Sequence, residues 1–202
     1  MPNTKDVRVG APDQKTTGAI KHAPIGTTLP TLSSITKAAV TLDGAFTGDE
    51  YVSEDGLTLT PSMSTTEIKD WSGSTVRKVL ESFDGTLSWT MISTNAGALG
   101  VAFGADKVST SAATTTHGAQ TSVSLGAHLP AAQSWVFLMK DEDARIVIVV
   151  PNGQVTEVGE VTFAANEAVG WNVTLSCYPD SSGECIYIYT DDGEVTSSSA
   201  TS

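Results

Sequence analysis

The side chains that most often perform chemistry are few in this sequence and lie far apart. Its three histidines, His22, His117 and His128, fall in loop-like segments without the neighbouring carboxylate pair of a triad or metal site. No serine lies in the Gly-x-Ser-x-Gly elbow of hydrolases. A glycosidase-like pair of carboxylates that meets only in space stays open as an alternative, because sequence spacing cannot reveal it. We therefore predict that the chain is not an enzyme and has no catalytic residue.

The two cysteines do not indicate a metal or cofactor site either. Cys177 and Cys185 flank the turn-like stretch YPDSSGE, so a pairing across a hairpin and two free thiols are both open. We expect free thiols, because cytosolic proteins rarely keep disulfides. Two cysteines without histidines at ligand spacing do not form a zinc site. The sequence thus predicts no cofactor and no bound metal.

The charge of the chain is strongly acidic and unevenly distributed. The 202 residues carry a formal net charge of -12, whereas residues 1–45 hold five Lys or Arg and three Asp or Glu. The acidic part of the chain after residue 45 should repel a DNA backbone, since affinity for duplex DNA comes mainly from Lys and Arg. The alternative is that the acidic surface only keeps the protein soluble. No apolar leader and no run of membrane-spanning length occurs, so we expect a protein made in the cytosol, without a membrane partner.

Composition and patterning predict a mainly β, antiparallel β-sandwich or barrel-like protein with one short helix. Hydrophobic residues make up 40% and charged residues 17%, and Thr, Ser and Gly supply the balance that suits strands and turns. We expect an N-terminal arm over residues 1–45, a β-sandwich domain over 46–190 and a disordered C-terminal tail over 191–202. A disordered leader is the alternative for the first of these segments.

The stretch from Glu50 to Ser93 shows the strand pattern most clearly. Leu57-Thr58-Leu59-Thr60 alternates as a half-buried strand does, and Pro61 is expected to end it. Asp84-Gly85 has the composition of a two-residue hairpin turn, which would place Leu80 opposite Trp89 on an apolar face. The other face of this predicted hairpin is polar.

Later segments predict one helix and further strands. Asn95 can cap a short helix that presents Leu99 and Phe103 on one face and ends at Gly104. The apolar runs 135–139 and 146–150 predict a buried hairpin, and Pro151-Asn152-Gly153 predicts a tight turn after it. Alternation over residues 169–177 predicts another strand, and a last one follows over 185–189.

The order of these motifs resembles a known family. The stretch DGLTLT, then TEIKDWSGSTVRKV, then TLSWTMIS is similar to the major tail proteins, or tail tube proteins, of long-tailed bacteriophages. The resemblance implies a structural virion protein whose six-fold rings stack into a hollow tube for DNA ejection. It also implies assembly in the host cytoplasm with the tape measure, tail terminator and distal tail proteins, and viral DNA that passes through without specific binding. An arm would then lie on a neighbouring subunit.

Site residues follow from this reading as expectations. We expect the polar strand face to line the lumen, through Thr58, Thr60, Glu81, Ser88 and Thr90. Trp71, with Asp70 beside it, lies in a polar context and is expected to contact another subunit. A monomeric receptor- or carbohydrate-binding β-sandwich and a secretion-system tube protein are the alternatives, because the fold alone does not decide the function.

Overall fold

The computed structural model describes residues 7–13, 18–48 and 50–195. These residues form nine β-strands and one α-helix, and every strand pairing among them is antiparallel. The elements are β1 (Ile20–Pro24), β2 (Val52–Lys69), β3 (Thr75–Met91), α1 (Ala96–Phe103), β4 (Val108–Ser111), β5 (Gln120–Val123), β6 (Gln133–Asp141), β7 (Ala144–Val158), β8 (Trp171–Tyr178) and β9 (Tyr187–Asp191). The predicted mainly β, antiparallel fold with one short helix is confirmed.

One seven-stranded sheet contains all strands except the β4–β5 hairpin. Its order is β1-β6-β7-β8-β3-β2, so β1 and β2 lie at its two ends. Strand β7 is long enough to pair with β9 over 145–149 and with β8 over 152–158. The polypeptide thereby places β2, β3, β8 and the C-terminal half of β7 side by side, with β2 as the outermost of them.

The main core lies between this sheet and helix α1. The rings of Trp89 and Trp135 lie 5.5 Å apart, and Phe137 approaches Trp89 edge-on at the same centroid distance. A second, smaller cluster lies around Val147 and Val149 and includes Ile35 from the N-terminal part of the chain. Burial of these large side chains from water is the main stabilising contribution to the sheet.

Helix α1 forms as the sequence predicts. The Asn95 side chain accepts a hydrogen bond from the backbone N–H of Ala98 at 2.8 Å, which satisfies one of the free donors of the first turn. Leu99 is buried against the sheet, and the Phe103 ring meets Trp171 edge-on at 5.6 Å. The helix ends at Gly104, whose φ of 98° suits glycine.

The predicted hairpin turn at Asp84-Gly85 is wrong, and so is the pairing of Leu80 with Trp89. Strand β3 runs through this dipeptide without interruption, and the hairpin connects β2 to β3 at the Ser72-Gly73 turn. The presence of glycine at position 85 is explained by packing: a Cβ there would lie 2.7 Å from Cδ1 of Ile186. At this position the glycine leaves space for the side chain of another strand-flanking residue and does not form a turn.

The predicted strand end at Pro61 and the predicted turn at Pro151-Asn152-Gly153 are also wrong, because both lie inside continuous strands. Pro61 pairs with Gly85 inside β2, which is possible because β2 is an edge strand. Pro151 to Gly153 lies inside β7, and a Cβ on Gly153 would lie 2.9 Å from the Trp135 ring. The buried hairpin of β6 and β7 and the alternating strand β8 are confirmed.

The first part of the chain contributes to the sheet. Within the expected arm, Ile20–Pro24 pairs with β6 of the same chain, and Thr47 bridges to His22. We call residues 7–13 and 18–48 the N-terminal segment. The division into arm, domain and tail stays a prediction, and residues 1–6, 14–17 and 196–202, which belong to the expected arm and tail, lie outside the described residues.

Candidate assembly surfaces

One face of the sheet is polar across three neighbouring strands. Pairing places Thr58 opposite Ser88 and Thr60 opposite Thr86, and the same side of β3 faces β8. We call this the polar face; its members are Thr58 and Thr60 of β2, Thr86, Ser88 and Thr90 of β3, and Asn172, Thr174 and Ser176 of β8. The residues that alternate with them, such as Leu87 and Trp89, are buried on the opposite face.

The predicted lumen residues share this face. Thr58, Thr60, Ser88 and Thr90 are among its members, and the Asn172 amide donates to Thr90 Oγ1 at 3.0 Å. These hydroxyl and amide groups present a neutral, hydrated surface. Whether it faces a channel stays a prediction.

Glu81 reaches the same face by an irregularity of the strand. Ser64 pairs with Ser82 and Thr65 with Leu80, so Glu81 is an extra residue on β3, as in a β-bulge. Its carboxylate accepts hydrogen bonds from Thr66 Oγ1 at 2.9 Å and from Ser64 Oγ at 3.4 Å. Both hydroxyls belong to the series of β2 that includes Thr58 and Thr60, so Glu81 adds negative charge to the extension of the polar face.

The outer halves of β2 and β3 extend beyond the body of the subunit. Every residue from 61 to 84 is exposed, and we call this stretch the distal hairpin. The core-facing side of the sheet continues along it, since Met63 pairs with Phe83 and Thr65 with Leu80. Met63 is 69% exposed, Leu80 59% and Phe83 38%. These three side chains form an apolar stripe that the described residues cover only in part.

A two-stranded ribbon with an exposed apolar stripe needs a packing partner to be stable in water. A lone hairpin is marginally stable in water, and exposed contiguous apolar surface marks an interaction site. The ion pair of Lys78 with Glu67, at 3.2 Å across the strands, adds little because both side chains are largely exposed. The distal hairpin therefore lacks the packing partner that its sequence pattern requires.

The tip of the distal hairpin is a turn organised by Asp70. Its carboxylate accepts from Ser72 Oγ at 2.7 Å and from the backbone N–H of Ser74 at 2.8 Å. The Ser72 hydrogen bond, followed by that of Ser74, lowers the pKa of Asp70 below its ordinary value. Trp71 is fully exposed beside it. Asp70 thus shapes the turn that presents Trp71, and contact of either residue with another subunit stays a prediction.

The histidines do not converge on a site, although two of them differ from expectation. His22 lies in strand β1 and not in a loop; its ring is 5.1 Å from that of Trp135, and burial lowers its pKa. His128 lies 3.2 Å from the Asp106 carboxylate at the surface. Among the described residues, no group of three His, Cys, Asp or Glu could hold a metal ion. Within the same ranges, no helix is long and apolar enough to cross a membrane.

The cysteines are both buried free thiols. Burial raises the pKa of Cys177 to about 12, and it also raises the pKa of Cys185. Neither group is therefore a thiolate nucleophile at neutral pH.

Sequence reasoning missed the apolar stripe as an interaction surface. It assigned Leu80 to the subunit core, because an apolar strand residue looks the same whether its own chain or another copy covers it. The one available signal was the partner strand: residues 62–66, SMSTT, are too polar to form the second side of a core.

Comparison with known proteins gives a family. The family model described as phage tail tube protein matches residues 2–200. No curated protein sequence matches the chain significantly. Among solved structures, the chain is similar to the one titled "Cryo-EM structure of the anti-feeding prophage cap (AFP tube terminating cap)", with 13% identity, 95% of this chain and 100% of that chain covered, and a TM-score of 0.48. The match over residues 2–200 shows that the chain belongs to the phage tail tube protein family and is a structural component of the phage tail.

Proposed function

We propose that copies of this chain close into hexameric rings and that the rings stack into a tail tube, with the polar face lining the lumen. The observation that carries this proposal is the distal hairpin, whose apolar stripe is only partly covered by its own subunit. A second copy is the expected occupant, since the resemblance implies a tube built from one repeated subunit. The number six comes from the resemblance described above.

Ring closure can use two strand edges of the subunit. Strand β2, with 18 residues, is the last strand of the sheet, and no described strand pairs with its outer edge. At the other side of the neighbouring strands β2, β3 and β8 lies β7, whose pairing with β6 ends at Gly153, whereas its pairing with β8 continues to Val158. The outer edge of residues 154–158 therefore has no strand partner in the part of the chain that the structure describes. Free edges recruit further strands, so we assign β2 of one copy to residues 154–158 of the next.

Such a head-to-tail contact joins two different surfaces of identical subunits. A heterologous interface of this kind generates a ring when its rotation closes. Closure removes both free edges and aligns the polar faces of all copies into one barrel. The apolar stripe then packs on another copy, which completes the subunit that is incomplete alone.

The lining acts on DNA mainly by not binding it. The members of the polar face are uncharged, and Glu81 adds a carboxylate next to them. With a net charge of -12 on the whole chain, the tube offers few cations to neutralise phosphates. DNA can then slide through hydrated hydroxyl groups during ejection without strong contacts to break.

The remaining expectations belong to the same proposal. Assembly takes place in the host cytoplasm, and the tube meets the tape measure protein inside it and the tail terminator and distal tail proteins at its ends. Supporting this is the family membership, which places the chain among tail components.

Electron microscopy of the purified protein over a concentration series, with sedimentation, tests assembly. We expect hollow tubes or six-fold rings for the unmodified chain. Leu80→Asp puts a charge on the apolar stripe and should abolish tubes. The matched control is Ser82→Asp, which adds the same charge to the same strand on the opposite side, where Ser82 pairs with Ser64. Tubes that form equally well with Leu80→Asp would contradict the packing of the apolar stripe against another copy.

A helical reconstruction of the tubes tests the lumen. Thr58, Ser88 and Glu81 should lie on the inner wall. If these side chains lie on the outer wall, the assignment of the polar face is wrong even though a tube forms. A chain that stays monomeric at every concentration, also when seeded with tail tips, would favour the binding-module alternative.

A further inference from the structure

A buried arginine links the sheet to the N-terminal segment. Arg145 of β7 is only 1% exposed. Its guanidinium donates to the backbone carbonyls of Thr36 at 2.9 Å, Ala38 at 3.0 Å and Lys37 at 3.3 Å, and it forms an ion pair with the Asp13 carboxylate. Burial of a charge is strongly unfavourable unless it is paired and hydrogen-bonded. Here every nitrogen of the guanidinium has a partner.

All these partners belong to the N-terminal segment, and they come from two separate stretches of it. Asp13 lies in the first described stretch, whereas residues 36–38 lie beyond β1. The second stretch is held further by Ile35, which is buried against Val147 and Val149, and by an ion pair of Lys37 with Asp143 at 2.6 Å. One side chain thus fixes two parts of the segment onto the β6–β7 hairpin.

The same segment covers the outer edge of β6. Strand β1 pairs with residues 133–137 of β6. Beyond it, the backbone of Leu138 donates to Ala19 and accepts from Asp13, and the N–H of Lys140 donates to the carbonyl of Ala11 at 2.7 Å. The outer edge of β1 is bonded in turn to Thr47 in both directions at His22.

An uncovered β6 would be a hazard for an assembling protein. Its sequence QSWVFLMKD is long and apolar, and such an edge recruits strands of other molecules. The subunit therefore has one side of its sheet closed by the N-terminal segment and the other, at β2, open.

We infer that Arg145 is a latch that keeps the N-terminal segment on its own subunit as an edge cap, so that strand addition between copies can use β2 but not β6. This replaces the expectation that the segment lies on a neighbouring subunit. Its consequence for tube shape rests on the proposed ring assembly, whereas the latch itself can be tested on the monomer.

The monomer test is limited proteolysis of Arg145→Met, which keeps an apolar side chain of similar length in place and removes the donors. Cleavage by trypsin after Lys21, which is buried in β1, should become at least about tenfold faster, because the cap opens more often. The control variant Lys107→Met removes a half-exposed cation from a different part of the chain and should leave the rate unchanged. Unchanged cleavage in a folded Arg145→Met protein would overturn the latch.

If Arg145→Met does not fold, Asp13→Asn is used for the same proteolysis experiment. It removes the ion pair while the carbonyl contacts of Arg145 remain, so we expect a smaller but measurable acceleration of the same cleavage. No acceleration in this variant would contradict the role of the ion pair in the latch.

A second experiment, on assembled tubes, determines whether the N-terminal segment that covers a subunit belongs to the same chain or to a neighbouring one. Tubes are assembled from equal amounts of ¹⁴N- and ¹⁵N-labelled chain, and a carbodiimide then joins the Lys37 amine to the Asp143 carboxylate, which lie in direct contact. In each cross-linked pair, the peptide with Lys37 and the peptide with Asp143 should carry the same nitrogen isotope. Mixed-label pairs in about half of the peptides would show exchange between subunits and overturn the inference. Failure of the unmodified chain to form tubes would count against the proposed function and leave the proteolysis result standing.

Discussion

The two halves of strand β3 belong to one continuous strand but have opposite environments. From Gly85 to Met91 the strand lies between β2 and β8, and Leu87 and Trp89 are at most 2% exposed. From Thr75 to Asp84 it pairs with β2 alone, and every residue is exposed. Apolar side chains occur at core-side positions in both halves. The difference shows that the sequence encodes a buried face longer than the subunit itself can cover.

The consequence is a division of the folding free energy between the subunit and its assembly. The inner half of the hairpin is stabilised by the subunit core. The outer half gains comparable burial only when another copy packs on Met63, Leu80 and Phe83. Removal of an aromatic ring should therefore have different effects in the two halves.

The largest expected effect is loss of stability on truncation of the buried ring. Trp89→Ala should lower the free energy of unfolding of the monomer by about 3 to 5 kcal/mol, because it removes a fully packed core aromatic. Phe83→Ala, on the outer half of the same strand, should lower it by about 1 kcal/mol or less, because the ring loses mainly cross-strand contacts such as that with Met63. Urea unfolding of the two variants measures the difference. Equal losses would show that the outer half is already packed in the monomer.

Cysteine reactivity can locate the boundary between the halves. Cys177 pairs with Gly85, where the buried half of β3 begins. Because burial raises its pKa from 9.0 to about 12, the thiolate fraction at pH 8 should be about a thousandfold lower than for an unperturbed thiol. Alkylation of Cys177 by iodoacetamide, followed by peptide mass spectrometry, should be correspondingly slow in the native protein and fast in urea. Rapid native labelling would place the boundary further inside the body.

The smallest expected effect concerns the turn at the tip. Hydrogen bonds lower the pKa of Asp70 in the folded protein, so their contribution is present above the unfolded pKa and is lost as the pH falls through the folded value. An NMR titration should show the Ser74 amide, which donates to Asp70, moving in that acidic range, while the amide of Trp89 stays unchanged. Asp70→Asn should remove the transition. A transition that survives in Asp70→Asn must come from another group.

Local patterns predicted the faces of the strands better than the connections between them. Asp84-Gly85 has the composition of a turn, but its conformation is decided by pairing with Pro61 and Cys177 and by the side chain of Ile186 against Gly85. These contacts are distant in sequence, so local turn propensity could not reveal them.

The polar face was predictable in spite of the wrong turn, because alternation survives a change of partner. Thr58, Thr60, Ser88 and Thr90 keep their side whichever strand lies opposite. Glu81 was placed on this side by the wrong pairing and reaches it by a bulge.

The contacts of Arg145 had no signal in the sequence. Most of its partners are backbone carbonyls, which every residue has, and they lie more than 100 positions away along the chain. Only the assembled sheet and the folded N-terminal segment bring them together.

Hydrogen exchange of the hairpin amides, measured in the monomer and in assembled tubes, tests the central claim most directly. In the monomer, amides of residues 62–84 should exchange rapidly and those of residues 86–91 slowly. Assembly should slow the outer amides to the level of the inner ones, because another copy then covers the apolar stripe. Tubes in which residues 62–84 still exchange as rapidly as in the monomer would contradict the account.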